Sequence, residues 1–438
     1  MAENKSKRMI SRWEPKSGVE EIPNLPVELV ADILLRLSAT LLLCCRRVCK
    51  VWCKIIDSPS FVNTHRTRHG SNESELLFLK TPTHRRDTMK VYSLKADNFN
   101  HTVNMSRYPI AEFVNPYNRT SSGYGYSCYW DYLSNYLGYG LFLFRSKSCE
   151  ERVFLYNPLR EEVLILPPVP TEGSDRTPDY YWNNGIVINT FCMGFDSATN
   201  EYKIVHTYNV DSRGDYKSIS NSMVTNIYTL GTSTWRKITA VPPVLPDTEA
   251  VPAYGDVHWR IVTTTFSPEF NIHEEMLLSF DLKKEEYKYT TLPAVHHERR
   301  RFTLFNLKEF LAISDVICDY DYDSDTGTMG LDIWILKDYE NQEWVKQYTI
   351  NNVAGLNVIG AWQDGVMLFS GFRYSEIFYY DPETDSLSTM VSPSNSYDGT
   401  IISCATSLMS LKNYGDLKSK RVSRGRGTYY FNLNKANT

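Results

Sequence analysis

Apolar positions at the start of the chain follow a helical period, but they cover more than one side of the helices that they predict. The first helix has two adjacent apolar stripes, formed by Leu29, Ile33 and Leu37 and by Val30 and Leu34. A second apolar run, from Leu41 to Ile56, is again too rich for a single face. A segment of about 40 residues rarely builds a stable core alone. Residues 25–61 therefore predict helices that pack against another chain, or, as the alternative, against the rest of this one.

Beyond residue 75 the apolar period changes from 3.6 to 2, which is typical of strands. The repeated unit is an apolar or aromatic strand, a turn that begins with Asn or Asp, and a second strand. Its six copies span residues 153–168, 192–208, 226–238, 276–293, 331–350 and 376–391. Asn and Asp offer the turn a side-chain acceptor. Trp235, Tyr287 and Trp344 recur on the second strands, where we expect them to pack between sheets.

The mean spacing of the hairpins is about 45 residues, a period typical of propeller blades. A radial array also protects the edges of its sheets. Residues 380–387, YDPETDSL, are similar to the outer hairpin of a kelch repeat, although the chain has no Gly-Gly pair. We therefore predict an α+β chain, with a small N-terminal helical domain and a degenerate kelch-type propeller of six or seven blades. Two stacked β-sandwich domains are the alternative.

The order and spacing of residues in the helical segment resemble the F-box. The matching residues are Leu25-Pro26, Glu28-Leu29, Ile33-Leu34, Arg36-Leu37, Val48-Cys49-Lys50, Trp52 and Ser58-Pro59-Ser60-Phe61. The resemblance implies docking onto the Skp adaptor of a cullin-based ubiquitin ligase. The implied adaptor-binding residues are Leu25, Pro26, Leu29, Ile33, Leu34, Leu43, Val48 and Trp52. Ser38 and Leu41 depart from the family pattern, which has Pro and a small polar cap there. We expect Ser38 or Thr40 to cap the second helix.

The hairpin segments, with residues 256–259 and 404–411, resemble the successive motifs of the plant F-box-associated (FBA) domain. This resemblance covers nearly all of residues 75–412. It implies a non-catalytic substrate receptor of a Skp–cullin–F-box ubiquitin ligase, whose β domain binds a protein client for proteasomal degradation. The chain is also similar to the S-locus F-box (SLF) group, which implies pistil ribonucleases of self-incompatibility as clients. A propeller enzyme, a carbohydrate-binding module and a non-degradative scaffold are the alternatives.

Charge divides the chain into a basic start, an acidic body and a basic end. Residues 1–70 carry 12 Lys and Arg against 7 Asp and Glu, and residues 417–438 carry 6 Lys and Arg and no acid. Residues 71–416 therefore have 15 more acidic than basic residues. An acidic body argues against a nucleic-acid ligand and favours a basic protein client. We expect a disordered segment at 1–20, the F-box at 21–66, the propeller at 75–412 and a basic flexible tail at 417–438.

Two charged segments are candidates for client contact. Residues 319–327, DYDYDSDTG, alternate carboxylates as calcium loops do, but lack the Gly and Glu that an EF-hand has at positions 326 and 332. A solvated hairpin loop is the favoured interpretation, with a bound cation or a basic partner as alternatives. The client candidates are Asp321 and Asp323 in this segment and His296, His297, Arg299 and Arg300 in an expected inter-blade loop. We expect no metal and no cofactor.

Cysteine and histidine spacing gives no metal-binding set. Cys45, Cys49 and Cys53 recur at every fourth position, and we expect them to pack as free thiols on one helical face. His65 and His69 are expected at the fraying end of the last helix of the F-box. The scattered cysteines predict a reducing compartment. No segment has the pattern of a signal peptide or a membrane span, so we expect the cytoplasm, with the nucleus as an additional location, and no membrane partner.

Overall fold

The computed structural model describes residues 25–430, except residues 70–73, 81–88, 98–101, 108, 115–132, 146–152, 171–188, 210–222, 244–245, 247–249, 262–275, 294–301, 308–309, 322–325, 352, 354–355, 362–365, 371–376, 391–398, 418–420 and 424–425. The expected disordered segment at 1–20 lies outside this part. Within it, no helix is both long enough and apolar enough to cross a membrane.

Four short helices form an N-terminal helical domain. They are α1 (Val27–Leu34), α2 (Ala39–Cys45), α3 (Lys50–Ile56) and α4 (Pro59–His69). The Oγ of Ser38 accepts a hydrogen bond from the Leu41 amide at 3.4 Å, which confirms Ser38 as the cap of α2. The Sγ of Cys49 caps α3 in the same way, through the Trp52 amide. A helix boundary therefore separates Cys45 from Cys53, so the predicted stripe of three thiols on one face is wrong.

The last helix is firmly attached at its C-terminal end. His65 and His69 hydrogen-bond through Nε2 to the carbonyls of Leu37, at 2.9 Å, and Leu35, at 2.7 Å. Their rings stack with centroids 4.2 Å apart. Both carbonyls follow α1, where backbone acceptors lack partners within the helix. The expectation of a fraying end is therefore wrong, because these two side chains join α4 to α1.

The rest of the described chain is almost entirely β-structure. The first blade contains β1 (Ser74–Lys80), β2 (Met89–Asp97), β3 (Thr102–Met105) and β4 (Ala111–Val114), and the second β5 (Leu133–Tyr136), β6 (Phe142–Arg145), β7 (Val153–Asn157) and β8 (Glu162–Ile165). The third contains β9 (Asn189–Asp196), β10 (Glu201–Asn209), β11 (Met223–Thr229) and β12 (Arg236–Ile238), and the fourth β13 (Ala250–Ala253), β14 (Asp256–Ile261), β15 (Met276–Asp281) and β16 (Glu286–Thr290).

The remaining strands complete the array. The fifth blade contains β17 (Phe302–Leu307), β18 (Phe310–Asp321), β19 (Thr326–Asp338) and β20 (Glu343–Asn351), and the sixth β21 (Asn357–Ala361), β22 (Met367–Ser370), β23 (Ile377–Asp381) and β24 (Ser386–Met390). Then β25 (Gly399–Ala405), β26 (Arg421–Ser423) and β27 (Arg426–Tyr430) return to the first blade. A short 3-10 helix, Leu411–Tyr414, lies between β25 and β26.

The six sheets close into a ring, which confirms a six-bladed propeller and excludes the stacked sandwiches. Blades two to six are four-stranded and antiparallel, and β25 pairs with β1 to close the first blade. A buried apolar cluster fills each junction between neighbouring blades. As predicted, Trp235, Tyr287 and Trp344 lie in three of these clusters. Side chains of adjacent sheets therefore form the core, as expected for a radial array.

Two features of the β-domain differ from prediction. The hairpins at 192–208 and 226–238 belong to one sheet, the third blade, so the hairpins are not one per blade. The basic tail is not wholly flexible, because β27 pairs with β4 in parallel and β26 pairs with β27. Backbone hydrogen bonding to an available edge strand explains this second difference.

Candidate partner-binding surfaces

The helical domain packs on one face of the propeller, which we call the near face. This face carries the short turns that join the first strand of a blade to the second and the third to the fourth. The Nδ2 of Asn63 donates to Asn200 in the β9–β10 turn at 3.0 Å. The guanidinium of Arg66 lies 4.9 Å from the ring centroid of Tyr139 and 4.8 Å from that of Phe195. Helix α4 is thus held by polar and cation–π contacts to two blades.

One side of the helical domain is buried in a core shared with the propeller. The side chains that enter this shared core from the helices are Leu34, Ala39, Leu42, Ile56, Phe61 and Val62. From the propeller they meet residues of the second and third blades and of the segment after β25, among them Leu141, Leu143, Leu408, Met409 and Leu411. The interpretation that these helices pack on their own chain is therefore correct for this side.

Away from the shared core, the helical domain leaves large apolar side chains in solvent. We call the seven residues Leu25, Val27, Leu29, Ile33, Leu41, Val48 and Val51 the exposed helical face; their exposed fractions run from 49% to 64%. Single exposed apolar residues are ordinary, whereas several on one small domain indicate an interaction surface. The apolar residues that the sequence has in excess therefore divide into two groups. One group is buried in the shared core, and the other is exposed to solvent and available to a partner.

The predicted adaptor-binding residues divide between the two sides. Leu25, Pro26, Leu29, Ile33 and Val48 are exposed. Leu34 is only 1% exposed and lies in the shared core, so its place in the predicted surface is wrong. Leu43 and Trp52 are partly buried against that core.

Sequence reasoning missed three members of the exposed helical face: Val27, Leu41 and Val51. Leu41 carried a signal, because it is apolar where the related motif has a polar residue. That departure enlarges the apolar surface.

In the sequence, the client candidates follow β16 or lie at or just after the end of β18, two strands that end at the opposite, far face of the propeller. In an antiparallel blade successive connections alternate between faces. The C-terminal ends of β16 and β18 therefore lie at the far face. Asp321 is the last residue of β18. Its side chain, like Asp323, His296, His297, Arg299 and Arg300, lies outside the described residues.

The fifth blade extends further toward this far face than its neighbours. Strands β18 and β19 have 12 and 13 residues and pair as far as Asp321 and Thr326. The pairing of β17 with β18 reaches only Asp315. The pairing of β20 with β19 reaches only Gly330. A two-stranded projection therefore rises from this blade at the position of the acidic segment.

A polar cleft of about 450 Å³ lies on the near face, beside the helical domain. It is formed by turns of the third, fourth and fifth blades. Its charged lining consists of Asp196, Asp256, Asp281, Asp338, Glu340, Lys283, Lys288 and Lys337, and its aromatic lining of Phe195, Tyr254 and Tyr339. The acids outnumber the lysines, and the mixture suits a polar or basic peptide segment better than an apolar ligand.

Asp256 is an acid of the cleft whose pKa is raised, in contrast to Asp196, whose pKa is lowered. Burial raises the pKa of its carboxyl, and the hydrogen bonds from Tyr339 and Lys288 oppose this shift without cancelling it. The Tyr339 hydroxyl donates to Oδ2 at 2.7 Å, and Lys288 Nζ lies 3.1 Å from the same atom. Lys288 Nζ also lies 4.4 Å from the Tyr339 ring centroid, and Tyr254 stacks on that ring. The cleft therefore already accommodates an ammonium group between a carboxylate and an aromatic ring.

A Ser–His pair beneath the cleft is not available for catalysis. Nδ1 of His258 lies 2.7 Å from Oγ of Ser279, but both residues are fully buried. Burial lowers the pKa of His258 to about 4. The ring therefore supports the fold as a neutral group. Among the described residues no cluster of three or more His, Cys, Asp or Glu side chains could hold a metal ion.

Comparison with known proteins supports the division into helical domain and propeller. Residues 71–399 match the family described as F-box associated beta propeller domain, and residues 22–67 the one described as F-box-like. F-box protein CPR1 of Arabidopsis thaliana is 20% identical over 387 residues, covering 84% of each chain. F-box/kelch-repeat protein At4g19930 of the same plant is 25% identical over 347 residues, covering 78% of this chain and 72% of that protein.

Proposed function

The chain belongs to the family of F-box-associated β-propeller proteins, and from this premise we propose that it is the substrate receptor of a Skp–cullin–F-box ubiquitin ligase. F-box proteins generally act as adaptors for substrates rather than as catalysts. In this proposal the helical domain binds the Skp adaptor, and through it the cullin, while the propeller binds a protein client. Ubiquitin transfer is then favoured by proximity, because the client is held at a high effective concentration.

The observation that carries this proposal is the two-sided burial of the helical domain. Its inner side is buried with the propeller in the shared core, and its outer side presents seven apolar residues to solvent. In the isolated chain these apolar side chains stay in contact with water, which is unfavourable. An apolar partner surface would bury them. Partner binding at the outer side leaves the attachment to the propeller intact.

We further propose that the client is a basic protein. The acidic body would attract such a client over a distance, mainly through the association rate. The near-face cleft, with its carboxylates and its stacked tyrosines, offers a place for a Lys or Arg side chain. The far-face projection of the fifth blade is a second candidate surface. The S-locus assignment, with pistil ribonucleases as clients, stays a prediction, since the relatives named above carry other descriptions.

Adaptor binding is tested by one matched pair of valine substitutions. Val48 lies on the exposed helical face and is 64% exposed, and Val241 lies on the propeller and is 42% exposed. We expect Val48→Asp to weaken binding of a purified Skp adaptor at least about tenfold, because it places a charge in an apolar interface. Val241→Asp should leave the Kd unchanged. Unchanged binding by both Val48→Asp and Leu29→Asp would refute the proposed interface.

Client recognition needs a separate experiment. Affinity capture from plant tissue under proteasome inhibition should recover the client together with adaptor and cullin. A captured protein whose level rises when this chain is removed is a degradation client. A captured protein whose level does not respond indicates a scaffold instead.

A further inference from the structure

The segment that follows the ring-closing strand also holds the helical domain. We call residues 406–413 the C-terminal strap. Strand β25, which ends at Ala405, pairs with β1 and so closes the propeller. The strap then runs beneath the second blade, and its Leu408, Met409 and Leu411 are buried in the shared core. The same eight residues after closure therefore contact both the ring and the helices.

The turn between β7 and β8 fixes the strap in place. Nδ2 of Asn157 donates to the carbonyls of Ser407, at 3.1 Å, and Met409, at 2.8 Å. Nη1 of Arg160 donates to the carbonyl of Leu408 at 3.0 Å. The carboxylate of Glu162 accepts from the Leu411 amide at 2.6 Å. Three side chains of one turn thus form hydrogen bonds with backbone carbonyl and amide groups of the strap, which buried polar groups require.

Arg160 joins this assembly to the helical domain. Its Nη2 donates to Oδ1 of Asp57, just after α3, at 3.0 Å, and its side chain is only 3% exposed. Asp57 also accepts two short hydrogen bonds from Arg46. Burial acts to raise the pKa of Asp57, but the two guanidinium groups outweigh it, and the pKa is lowered. The carboxylate is therefore charged and tightly held at neutral pH.

The strap itself completes the connection. Nδ2 of Asn413 donates to the carbonyl of Asp57 at 3.1 Å. The start of the strap also packs closely against Gly140 in the β5–β6 turn. A Cβ at position 140 would lie 2.5 Å from the Ala405 carbonyl oxygen and 2.6 Å from Cβ of Ser407, so a larger residue would not fit there. Arg160 and the strap therefore both hydrogen-bond to Asp57, and Arg160 also hydrogen-bonds to the strap.

We propose that Arg160 is a positioning residue that seats the helical domain on the propeller only when β25 has closed the ring. The strap reaches Arg160 and Asp57 because β25 is paired with β1. With the ring closed, the exposed helical face and the client-binding faces keep one relative orientation. With the ring open, the strap is released and the helical domain loses the polar anchor at Asp57, while the contacts of Asn63 and Arg66 to the second and third blades remain. The inference rests on the proposed function for its consequence, a fixed geometry of ubiquitin transfer.

Hydrogen exchange of the whole chain, residues 1–438, tests the anchor. In Arg160→Ala we expect amide exchange in α3 and α4 to rise at least about tenfold, with exchange in β13–β16 unchanged. Arg236→Ala is the matched control, because Arg236 pairs with Glu285 on the propeller at 2.6 Å and is half-exposed. If exchange in the helices is the same in both variants, Arg160 is not an anchor.

A milder variant keeps the test valid if Arg160→Ala unfolds the protein. Asn413→Ala removes one exposed hydrogen bond to the Asp57 carbonyl and should raise exchange in α3 by a smaller factor. Unchanged exchange in this variant, together with an unfolded Arg160→Ala, would overturn the positioning role and leave Arg160 with a general structural one.

Ring closure is tested by a substitution distant from the helices. Ile402→Pro interrupts the pairing of β25 with β1, in which Ile402 lies opposite Leu77. We expect exchange in α3 and α4 to rise as far as in Arg160→Ala. If exchange rises in β1 and β25 while the helices stay protected, the dependence on closure is refuted.

A reconstituted ligase gives the functional readout without a known client. Self-ubiquitination of this chain should be confined to a few lysines in the wild type and spread over more lysines in Arg160→Ala, as seen by mass spectrometry. Adaptor Kd should stay within about twofold, since the exposed helical face is unchanged. An unchanged lysine pattern would overturn the proposal, whereas a wild-type protein that binds no adaptor would overturn the proposed function instead.

Discussion

His258, at the core of the fourth blade, shows how one buried ring can make the fold sensitive to acid. Its Nδ1 is paired with the Ser279 hydroxyl and its Nε2 with the Ala253 carbonyl, at 3.2 Å. Burial lowers its pKa from 6.5 to about 4. Above pH 6.5 the ring is neutral in the folded and the unfolded chain. Between pH 6.5 and about 4 only the unfolded chain takes up the proton, so the free energy of unfolding falls as the pH falls.

The contribution of His258 can be isolated with His258→Gln. Between pH 7 and pH 5 we expect the wild-type free energy of unfolding to fall by roughly 2 kcal/mol more than that of the variant. Urea unfolding at the two pH values measures the difference. Between pH 7 and pH 8, where the ring is neutral in both states, the two proteins should respond to pH alike. Equal losses of stability at pH 5 would contradict the assigned shift.

At the scale of elements, a single turn geometry recurs around the propeller. In five hairpins the first residue of the turn is Asn or Asp, and its side chain accepts a hydrogen bond from the backbone amide two or three residues later. These residues are Asn157, Asp196, Asp281, Asp338 and Asp381. The fifth residue of each turn has a left-handed φ between 48° and 59°; these are Glu161, Asn200, Glu285, Gln342 and Asp385. The leading acceptor offsets the strain of that fifth position.

The acceptor in one such turn can be removed without disturbing a core. Asp281 Oδ1 accepts from the amides of Lys283, at 2.9 Å, and Lys284, at 2.8 Å. Asp281→Ala should lower the free energy of unfolding by about 1 kcal/mol. Asp281→Asn should be nearly neutral, because Asn157 fills the same role in the β7–β8 turn. Chemical denaturation checks both variants, and equal losses would show that charge, not the acceptor, matters.

Local patterns predicted the hairpins, but not how hairpins combine into blades. Alternating apolar residues and Asn or Asp turns are short-range signals, and they located six hairpins. Whether 192–208 and 226–238 share a sheet depends on the pairing of β10 with β11, which the period does not encode. The turn between β11 and β12 also lacks a leading Asn or Asp, and it contains Gly231, whose φ is 93°.

The first blade carried no repeated hairpin, because it combines strands from both ends of the chain. For the same reason the sequence predicts a flexible basic tail: Glu112 of β4, which lies opposite Thr428 of β27, is 316 residues away in the sequence.

At the scale of the whole molecule, the helical domain has apolar residues buried against the propeller and other apolar residues exposed to solvent. The sequence located its apolar residues and assigned most of the outer ones, but it placed Leu34 among them. Leu29 and Leu34 occupy the same helix and the same sequence motif, and only the packing against the propeller distinguishes them. Helical period alone could not decide, since both sides of α1 are apolar, one buried against the propeller and the other exposed.

These two leucines therefore give a matched test of the whole arrangement. Leu34 is 1% exposed and Leu29 is 52% exposed, and each would be changed to Ala. Leu34→Ala should lower the free energy of unfolding by about 2–4 kcal/mol, because it leaves a cavity in the shared core. Leu29→Ala should change it by less than about 0.5 kcal/mol and weaken adaptor binding instead. Denaturant unfolding and adaptor titration of both variants measure the two effects. Equal destabilisation by both would mean that α1 has no outer side free for a partner, since burial in the chain and exposure to the adaptor are alternatives for the same leucine.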